Sequence, residues 1–475
     1  MIDELSAKRK GLVLVICCMS LFIVGVDVTI VNVALPSIQR SFHATVSDLQ
    51  WTIDAYSLVI ACLLMLSGSL ADRFGRRRVF QIGLAIFSVG SLLCSVAPGL
   101  GWLVAFRGLQ AVGGSMLNPV ALSIIFNIFT DPRSRARAMG VWASVFGLSL
   151  ALGPVLGGVL VSGVGWRAIF WINVPVGITA IVLTGLFVPE SKALRARRLD
   201  PVGQALVIVA LASLTYGIIE GPRRGWHSPL ILGLFILSAV TFFVLTRVEL
   251  RRSEPLIDPR FFRSVPFSGA SLIALMAFGS LGGFLFLNTL YLQDVRHYSA
   301  LKAGLLMLPM AAMLFVFARV SGRLVGAKGP RLALILSGPP MAIGALMLAR
   351  LSADTSIVYV VAAYVIFGVG AGLVNAPIAT TAMSGMPLDQ AGVAGAVAST
   401  SRQVGSALGV AVTGSIVALG TGATFVGASH GAWYVVAACA TAVCLLGFVS
   451  TGQWARMTAT RSGERLEART KEMAR

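Results

Sequence analysis

The chain alternates long apolar runs with short polar segments. Fourteen runs of about 20 mostly apolar residues precede a polar tail near Trp454, and this is the length that an α-helix needs to cross a bilayer. The approximate centres of the runs are Met19, Ile60, Ser88, Val112, Leu148, Ala180, Ala210, Ile236, Gly279, Leu314, Met341, Gly368, Leu408 and Val443. The pattern predicts an all-α integral membrane protein with 14 transmembrane helices.

The composition agrees with this prediction. Hydrophobic residues make up 56% of the 475 positions, charged residues only 12%, and the mean hydropathy is +0.86. A single soluble core could not bury so much apolar surface. A water-soluble globular protein is therefore excluded.

The basic residues are distributed according to membrane side. With a cytoplasmic N-terminus, 28 of the 38 lysines and arginines fall in cytoplasmic segments, 7 in outer loops and 3 within spans. Loops rich in lysine and arginine remain on the cytoplasmic side of a membrane. The net charge of +19 is thus explained without a nucleic-acid partner. We expect both termini in the cytoplasm and contact with membrane lipid.

A charged loop follows the second apolar run and reads Gly-Ser-Leu-Ala-Asp-Arg-Phe-Gly-Arg-Arg-Arg over positions 68–78. Its aspartate can meet the positive end of a helix dipole, and its arginines resist translocation. An ordinary basic loop would account for the arginines but not for the glycine and aspartate frame. The loop resembles motif A of the major facilitator superfamily. The resemblance implies a cytoplasmic gate motif of Gly68, Asp72, Arg73, Gly75, Arg76 and Arg77.

The layout of the apolar runs repeats along the chain. A degenerate copy of the charged loop, 322–331, follows the second span of the last six, with Gly326 in place of Asp72. The resemblance implies the major facilitator fold, with two six-helix halves around a substrate site and the two inserted helices typical of fourteen-span drug and proton antiporters. The predicted domains are a six-helix half (1–190), two inserted helices (191–265), a second six-helix half (266–452) and a basic cytoplasmic tail (453–475).

The fourth span contains a polar helix face. Its residues Arg107, Gln110, Gly114 and Asn118 follow one another at intervals of three or four and therefore share one side of a helix. A guanidinium within a bilayer is costly unless it faces water or a carboxylate. Snorkelling to the interface would require the span to shift by about ten residues. The segment 103–115 resembles motif B, which implies a place for these side chains in the substrate or proton pathway.

The fifth span carries a glycine and proline motif. Its residues Gly153, Pro154, Gly157 and Gly158 resemble motif C, which marks antiporters within the superfamily. The proline removes a helical hydrogen bond, and the glycines allow a neighbouring helix to approach closely. Generic close packing is the alternative interpretation. The resemblance favours an exporter over an importer.

The first span contains the leading candidate for proton coupling. Asp27 lies near mid-membrane and begins the run Asp-Val-Thr-Ile-Val-Asn-Val-Ala-Leu-Pro, which is similar to the first-helix motif of the fourteen-span exporters. Burial favours the neutral form of an isolated carboxylate, whereas a neighbouring arginine favours the charged form. We therefore predict that Asp27 exchanges protons. The alternative is a permanent ion pair between Asp27 and Arg107 that only fixes helix packing.

Other polar residues also lie within the predicted spans. Asp54 is in the outer third of the second span, where it either attracts a cationic substrate or stays hydrated at the interface. Arg402 shares a helix face of the thirteenth span with Ser399 and Ser406, either in the substrate cavity or at the inner gate. Asn375 of the twelfth span is a further cavity candidate.

Metal and nucleophile chemistry is not indicated. The six cysteines fall inside apolar runs and the four histidines lie far apart, at outer loops or span ends. We predict no catalytic residue, no metal site and no cofactor, with a proton as the coupling ion. A membrane-embedded enzyme would need a cluster of such groups at mid-membrane.

The resemblance implies a proton-coupled antiporter that exports drugs or other lipophilic, mainly cationic small molecules across a bacterial cell membrane by alternating access. We expect it to function as a monomer. The excess of arginine over lysine, 32 to 6, is typical of a GC-rich genome. A dedicated exporter of an endogenous metabolite or antibiotic is therefore one alternative, and a superfamily importer is another.

Overall fold

The structure is a computed structural model that describes residues 6–192, 200–252, 255–384, 386, 391–418, 420 and 423–473. Within these ranges the regular structure is entirely helical. A helix satisfies its backbone hydrogen bonds within one segment, which is why apolar runs of this length adopt it in a membrane. The six cysteines form no disulfide.

Eighteen α-helices follow one another along the described chain, together with a short 3₁₀ helix and a π-helical turn. The α-helices are α1 (Ala7–Phe42), α2 (Val46–Phe74), α3 (Arg76–Ser95), α4 (Leu100–Ile128), α5 (Pro132–Gly163), α6 (Ala168–Trp171), α7 (Asn173–Phe187), α8 (Pro201–Arg224), α9 (Pro229–Arg251), α10 (Val265–Leu290), α11 (Ala300–Leu306), α12 (Leu308–Lys328), α13 (Pro330–Leu348), α14 (Ile357–Leu373), α15 (Asn375–Ala382), α16 (Ala391–Val417), α17 (Ala423–Ser450) and α18 (Gln453–Met473). The 3₁₀ helix is Pro259–Arg263 and the π-helical turn is Tyr291–Val295.

Thirteen spans of the described residues are long and apolar enough to cross a membrane. The sixth comprises α6 and α7, the tenth α11 and α12, and the twelfth α14 and α15. The predicted thirteenth span corresponds to α16, which is 27 residues long. It is not among the thirteen, because Arg402, Gln403 and the surrounding serines and glycines leave it no equally apolar stretch of 18 residues. Each of the fourteen predicted spans thus corresponds to helical structure.

The described residues pack into two units. The first draws its residues from Met1–Leu199 and Thr289–Leu308, and the second from Asp200–Asn288 and Pro309–Arg475. The inserted helices α8 and α9 therefore belong to the second unit. The four domain ranges given by the sequence stay a prediction.

Glycines bring α3 and α4 into backbone contact in the first unit. A Cβ atom on Gly90 would lie 2.6 Å from the Cα atom of Gln110, and one on Gly83 would lie 2.8 Å from the Cβ atom of Met116. Such spacing requires glycine and allows a closer helix approach than alanine would. The approach places the side chain of Gln110 beside Ser91 on α3.

The second unit contains an interrupted span. Pro377 has no N–H group and cannot donate to the carbonyl of Leu373 one turn earlier. The hydroxyl of Ser321, on α12, donates to that carbonyl at 2.5 Å instead. The interruption between α14 and α15 places Asn375 at the start of α15.

Large apolar side chains are exposed on the outside of the helices, as a bilayer-facing surface requires. On α9 they include Ile236, Val240 and Phe243. The tail forms the polar helix α18, and Thr458 on it accepts a hydrogen bond from the backbone N–H of Val265 at 3.0 Å. The tail helix is therefore tied to the start of α10.

Candidate functional site

An ion pair between α1 and α4 lies at the centre of the first unit. Arg107 Nη1 is 2.6 Å from Asp27 Oδ2, and the two residues are 1% and 0% exposed. The apolar sequence of α1 buries Asp27, and the polar face of α4 presents Arg107 to it. Because neither charge reaches water, each depends on the other for its stabilisation.

Two amide side chains complete the coordination of the carboxylate. Gln110 Nε2 donates to Asp27 Oδ1 at 2.8 Å, and Asn173 Nδ2, at the start of α7, donates to the same oxygen at 3.1 Å. Both amides also donate to the hydroxyl of Ser91 on α3, at 3.2 and 3.0 Å respectively. Arg107 Nη1 donates to Gln110 Oε1 at 2.7 Å. Both oxygens of Asp27 are therefore hydrogen-bonded within a network from four helices.

Helix α2 covers the guanidinium from another side. The Cζ atom of Arg107 lies 4.1 Å from the centre of the Tyr56 ring, and its Nε donates to the backbone carbonyl of Thr52 at 3.3 Å. An aromatic face and a carbonyl both attract a cation. Removing the carboxylate of Asp27 would nevertheless leave a buried positive charge without a counter-charge.

The sequence anticipated part of this network. It singled out Asp27, Arg107 and Gln110, which the structure brings together, but it missed Ser91 and Asn173. An asparagine inside an apolar run is a weak signal that could have indicated Asn173. A serine such as Ser91 gives no signal, because serines occur throughout the spans.

Asn118 shares the helix face of Arg107 but does not join the network. Its side chain is partly buried, and its Oδ1 accepts no hydrogen bond from the described residues. Gly114 lies between the two positions, where an added Cβ would come within 3.2 Å of the Tyr56 hydroxyl. The role of Asn118 in a substrate pathway stays a prediction.

Asp54 is a second buried carboxylate of the first unit. It is 0% exposed, and neither of its oxygens accepts a hydrogen bond from any described residue. The alternative of a carboxylate hydrated at the interface does not hold in this structure. An unpaired carboxylate charge in such a place is far more costly than a neutral carboxyl group.

The glycines of the fifth span pack against α1 immediately beyond Asp27. A Cβ on Gly157 would lie 2.9 Å from Ile30 Cγ1, and one on Gly153 would meet the side chain of Thr29. On the other side, a Cβ on Gly158 would lie 2.6 Å from the Cα of Leu301 in α11. Pro154 lies inside α5 among these contacts. The motif therefore holds α5 between α1 and α11.

The charged loop between α2 and α3 is built around Gly75 and Glu190. Gly75 has φ +110° and ψ 134°, which an L-residue adopts only with strain. The Glu190 carboxylate, after α7, accepts from the backbone N–H groups of Arg77 at 3.0 Å and Arg78 at 3.3 Å. It thereby supplies acceptors and negative charge at the N-terminus of α3. The sequence analysis missed Glu190, which lies 113 positions from Arg77.

The remaining residues of the gate motif differ in exposure. Arg76 Nη2 at the start of α3 lies 2.8 Å from Oδ1 of Asp72 in the last turn of α2, across the break at Gly75. Arg73 is exposed, whereas Arg77 is partly buried. An added Cβ at Gly68 would meet nothing within 4 Å. The loop therefore presents Arg73 and Arg78 at its surface.

The second unit brings together Arg402 and Asn375. Arg402 Nη1 donates to Asn375 Oδ1 at 3.1 Å, and its Nη2 donates to Ser399 Oγ at 2.6 Å. The sequence named Arg402 and Asn375 separately, and it grouped Ser399 with Arg402 on one face. Whether they line a substrate cavity stays a prediction.

Metal-binding clusters do not occur in the part of the chain that the structure describes. No three His, Cys, Asp or Glu side chains there could hold a metal ion.

The profile of the Major Facilitator Superfamily matches residues 17–410. The chain belongs to the major facilitator superfamily. Its similarity to Multidrug resistance protein Stp of Mycobacterium tuberculosis is 37% identity over 88% of this chain and 78% of that protein. The Tetracenomycin C resistance and export protein of Streptomyces glaucescens is 37% identical over 85% of this chain and 75% of its own length. Puromycin resistance protein pur8 of Streptomyces alboniger is 36% identical over 88% of this chain and 83% of its own length.

Solved structures confirm the fold class of this superfamily member. The crystal structure of a D-xylose-proton symporter superimposes with a TM-score of 0.68 over 92% of this chain and 97% of that chain, at 13% identity. An identity this low shows the major facilitator fold alone. With its relatives and its apolar helices, the chain is a multi-pass membrane protein of a transporter family, related to drug and antibiotic resistance efflux proteins.

Proposed function

We propose that the protein is a proton-coupled antiporter that exports lipophilic small molecules, cationic compounds among them, by alternating access. The observation that carries this proposal is the burial of two carboxylates in the membrane helices of the first unit. Asp27 is charge-paired with Arg107, whereas Asp54 has no hydrogen-bond partner among the described residues. A buried carboxylate can take up a proton, and a proton that replaces a bound cation couples the two movements.

Asp27 is the proposed proton switch. Its protonation would remove the charge that holds Arg107 and would convert an acceptor of three hydrogen bonds into a neutral acid. The network from α1, α3, α4 and α7 would then have to rearrange. Asp54 is the second candidate, because its geometry already suits a neutral carboxyl group.

The charged loop is the proposed cytoplasmic latch. Arg73 is exposed and Asp72 is bonded to Arg76, so the loop can exchange charge partners at its surface without loss of the Glu190 contact with α3. The excess of basic residues in one set of loops supports an orientation with both termini cytoplasmic, in a bacterial cell membrane. We propose a proton as coupling ion, no cofactor, and a functional monomer.

A dedicated exporter of one antibiotic or metabolite is the second candidate function. Two relatives carry the name of a single compound, tetracenomycin C or puromycin. This candidate shares the mechanism proposed above and differs only in the range of substrates.

Reconstitution into liposomes that contain a pH-sensitive dye tests the proposal. Puromycin and a panel of lipophilic cations are added to the wild-type protein, Asp27→Asn, Asp54→Asn and the control Asp354→Asn, which changes an exposed loop carboxylate. We expect substrate-dependent proton movement in the wild type and control, and its loss in Asp27→Asn. Loss in Asp54→Asn alone would transfer the switch to Asp54.

Two results would contradict the proposed function. Proton movement in the same direction as the substrate would indicate an importer. Substrate transport with no proton movement in any of these proteins would exclude proton coupling. Movement with one compound of the panel only would favour the dedicated exporter.

A further inference from the structure

Arg402 is a membrane arginine that has no carboxylate partner among the described residues. It lies near the middle of α16, and its two bonds go to neutral oxygens of Asn375 and Ser399. A guanidinium has five N–H donors, so the other donors of Arg402 have no acceptor in the described part of the chain. The Phe278 ring, 5.9 Å from its Cζ, is its nearest aromatic contact.

No acid among the described residues forms an ion pair with this charge. Helices α10 and α12 to α17 contain no aspartate or glutamate at all. Of the loop acids of the second unit, Asp258 is ion-paired with Arg260 and Asp354 is exposed, whereas Glu254 and Asp389 lie outside the described residues. Helix α8, which packs against α16, begins and ends with acids that are already ion-paired, Asp200 with Arg252 and Glu220 with Arg224.

The first unit shows what such a charge ordinarily requires. There Arg107 donates to the carboxylate of Asp27, to the side-chain amide oxygen of Gln110 and to a backbone carbonyl. A buried charge without a counter-charge is strongly destabilising, and intramembrane arginines pair with an opposite charge or face a polar cavity. The side chain of Arg402 is partly buried, and it has no opposite charge among the described residues.

We propose that Arg402, Asn375 and Ser399 form an anion-binding site that takes the carboxylate of a lipophilic compound. The guanidinium fork matches a carboxylate in two parallel hydrogen bonds. The amide NH₂ of Asn375 and the hydroxyl of Ser399 provide further donors. One positive charge balances a singly charged group and not a doubly charged phosphate, and the Phe278 ring favours an apolar body next to the acid.

The anion site deepens the proposed function. Its ligand is a transported compound only if the protein is an exporter, so this assignment rests on the proposed function. It places compounds with an acidic group, including zwitterions, among the substrates. Binding at Arg402 does not itself require a proton gradient, so the site can be tested without transport.

The probes are salicylate, an aromatic carboxylate, and salicylamide, its uncharged analogue. Binding of each to the purified full-length protein in detergent is measured by titration calorimetry in chloride-free buffer, for the wild type, Arg402→Gln, Arg402→Lys and Ser399→Ala. The matched control is Arg319→Gln, which removes an arginine of α12 whose exposed side chain lies over the Phe315 ring.

We expect salicylate to bind the wild type and Arg319→Gln equally, and salicylamide to bind neither. The salicylate affinity should fall by about 10- to 100-fold in Arg402→Gln, because a hydrogen-bonded charge is lost. Arg402→Lys keeps the charge but not the fork and should give an intermediate affinity. Ser399→Ala should weaken binding by a few-fold. If Arg402→Gln does not fold, this variant still tests the proposed site.

Three results would overturn the proposal. Salicylate affinity that is unchanged in both Arg402→Lys and Ser399→Ala would place binding elsewhere. If chloride displaced salicylate at equal concentration, the site would bind halide ions and would not be specific for a carboxylate. A large gain in salicylate affinity in Asp389→Asn would show that the chain's own carboxylate fills it. Salicylate binding without substrate-driven proton movement in liposomes would retain the site and reject the antiport mechanism.

Discussion

The carboxylate of Asp27 accepts a hydrogen bond from Arg107 at 2.6 Å in a place that water does not reach. The two residues are 80 positions apart in sequence and meet only because α1 packs against α4. The pair has no net charge, which is the condition under which two ionised groups tolerate burial. Either charge alone in the same position would destabilise the folded protein.

Removal of one partner should therefore cost more than removal of both. We expect Arg107→Gln to lower the free energy of unfolding by about 3–5 kcal/mol, since it leaves the Asp27 charge uncompensated. The double variant Asp27→Asn with Arg107→Gln should recover much of this loss, because two amides can hydrogen-bond without charge. Thermal unfolding in detergent of the wild type, Asp27→Asn, Arg107→Gln and the double variant gives the coupling energy between the two side chains. Additive losses in the double variant would show that the two side chains do not depend on each other.

Close packing of α5 against α11 should make Gly158 intolerant of any side chain. The Cβ of Gly158→Ala would lie 2.6 Å from the Cα of Leu301 and 2.8 Å from the carbonyl oxygen of Ala300, and backbone atoms cannot move aside independently. We expect a loss of about 1–3 kcal/mol in unfolding experiments. Gly140→Ala, in the same helix with nothing within 4 Å, is the control. It should leave stability unchanged or raise it by up to about 1 kcal/mol. Equal effects of the two substitutions would argue against helix contact as the cause.

Two separate constraints act on Gly75, and they can be distinguished. An alanine there would be strained by about 1–3 kcal/mol at φ +110°, and its Cβ would also lie 2.7 Å from the Glu190 carboxylate carbon. Glu190→Ala should remove the steric conflict but not the backbone strain. Gly75→Ala should therefore be less destabilising in the Glu190→Ala background than in the wild type, as measured by thermal unfolding. Gly68→Ala, which meets no neighbour, is the control. Identical effects in both backgrounds would leave strain as the sole constraint.

The hydrogen bond from Ser321 to Leu373 should matter only because Pro377 cannot donate. Ser321→Ala leaves a buried carbonyl without this donor, and we expect a loss of about 1–3 kcal/mol. In a Pro377→Ala background the new N–H can bond to Leu373, and the same serine substitution should cost less. The measurement compares the helix content and the unfolding temperature of the wild type, Ser321→Ala, Pro377→Ala and the double variant. A larger cost of Ser321→Ala without the proline would contradict this explanation.

The fold was predictable because the length of an apolar run reports directly on the thickness of the bilayer. The one helix that falls short, α16, does so because Arg402 and Gln403 lie in its centre. The pair of Asp27 and Arg107 was also within reach of sequence analysis, since a buried arginine requires a carboxylate and few are available.

The remaining contacts of the site depend on packing that hydropathy does not encode. Asn173 lies 146 positions from Asp27, and nothing in an apolar run specifies which neighbour an asparagine meets. Glu190 was missed for a related reason, because the acid that serves the start of α3 follows the end of α7. The isolation of Asp54 could be recognised only from its surroundings, since its hydrogen-bonding partners are defined by other helices.

The charge balance of Arg107 differs from that of Arg402, and the difference has an electrical consequence. A displaced unit charge responds to the membrane potential with about 2.3 kcal/mol for each 100 mV that it crosses. Arg107 moves together with Asp27 as a neutral dipole and is nearly insensitive to this field. Arg402 without a bound anion would carry a full charge through any displacement, and the anion would cancel it. The state of the site at Arg402 would then set how strongly membrane voltage acts on the second unit.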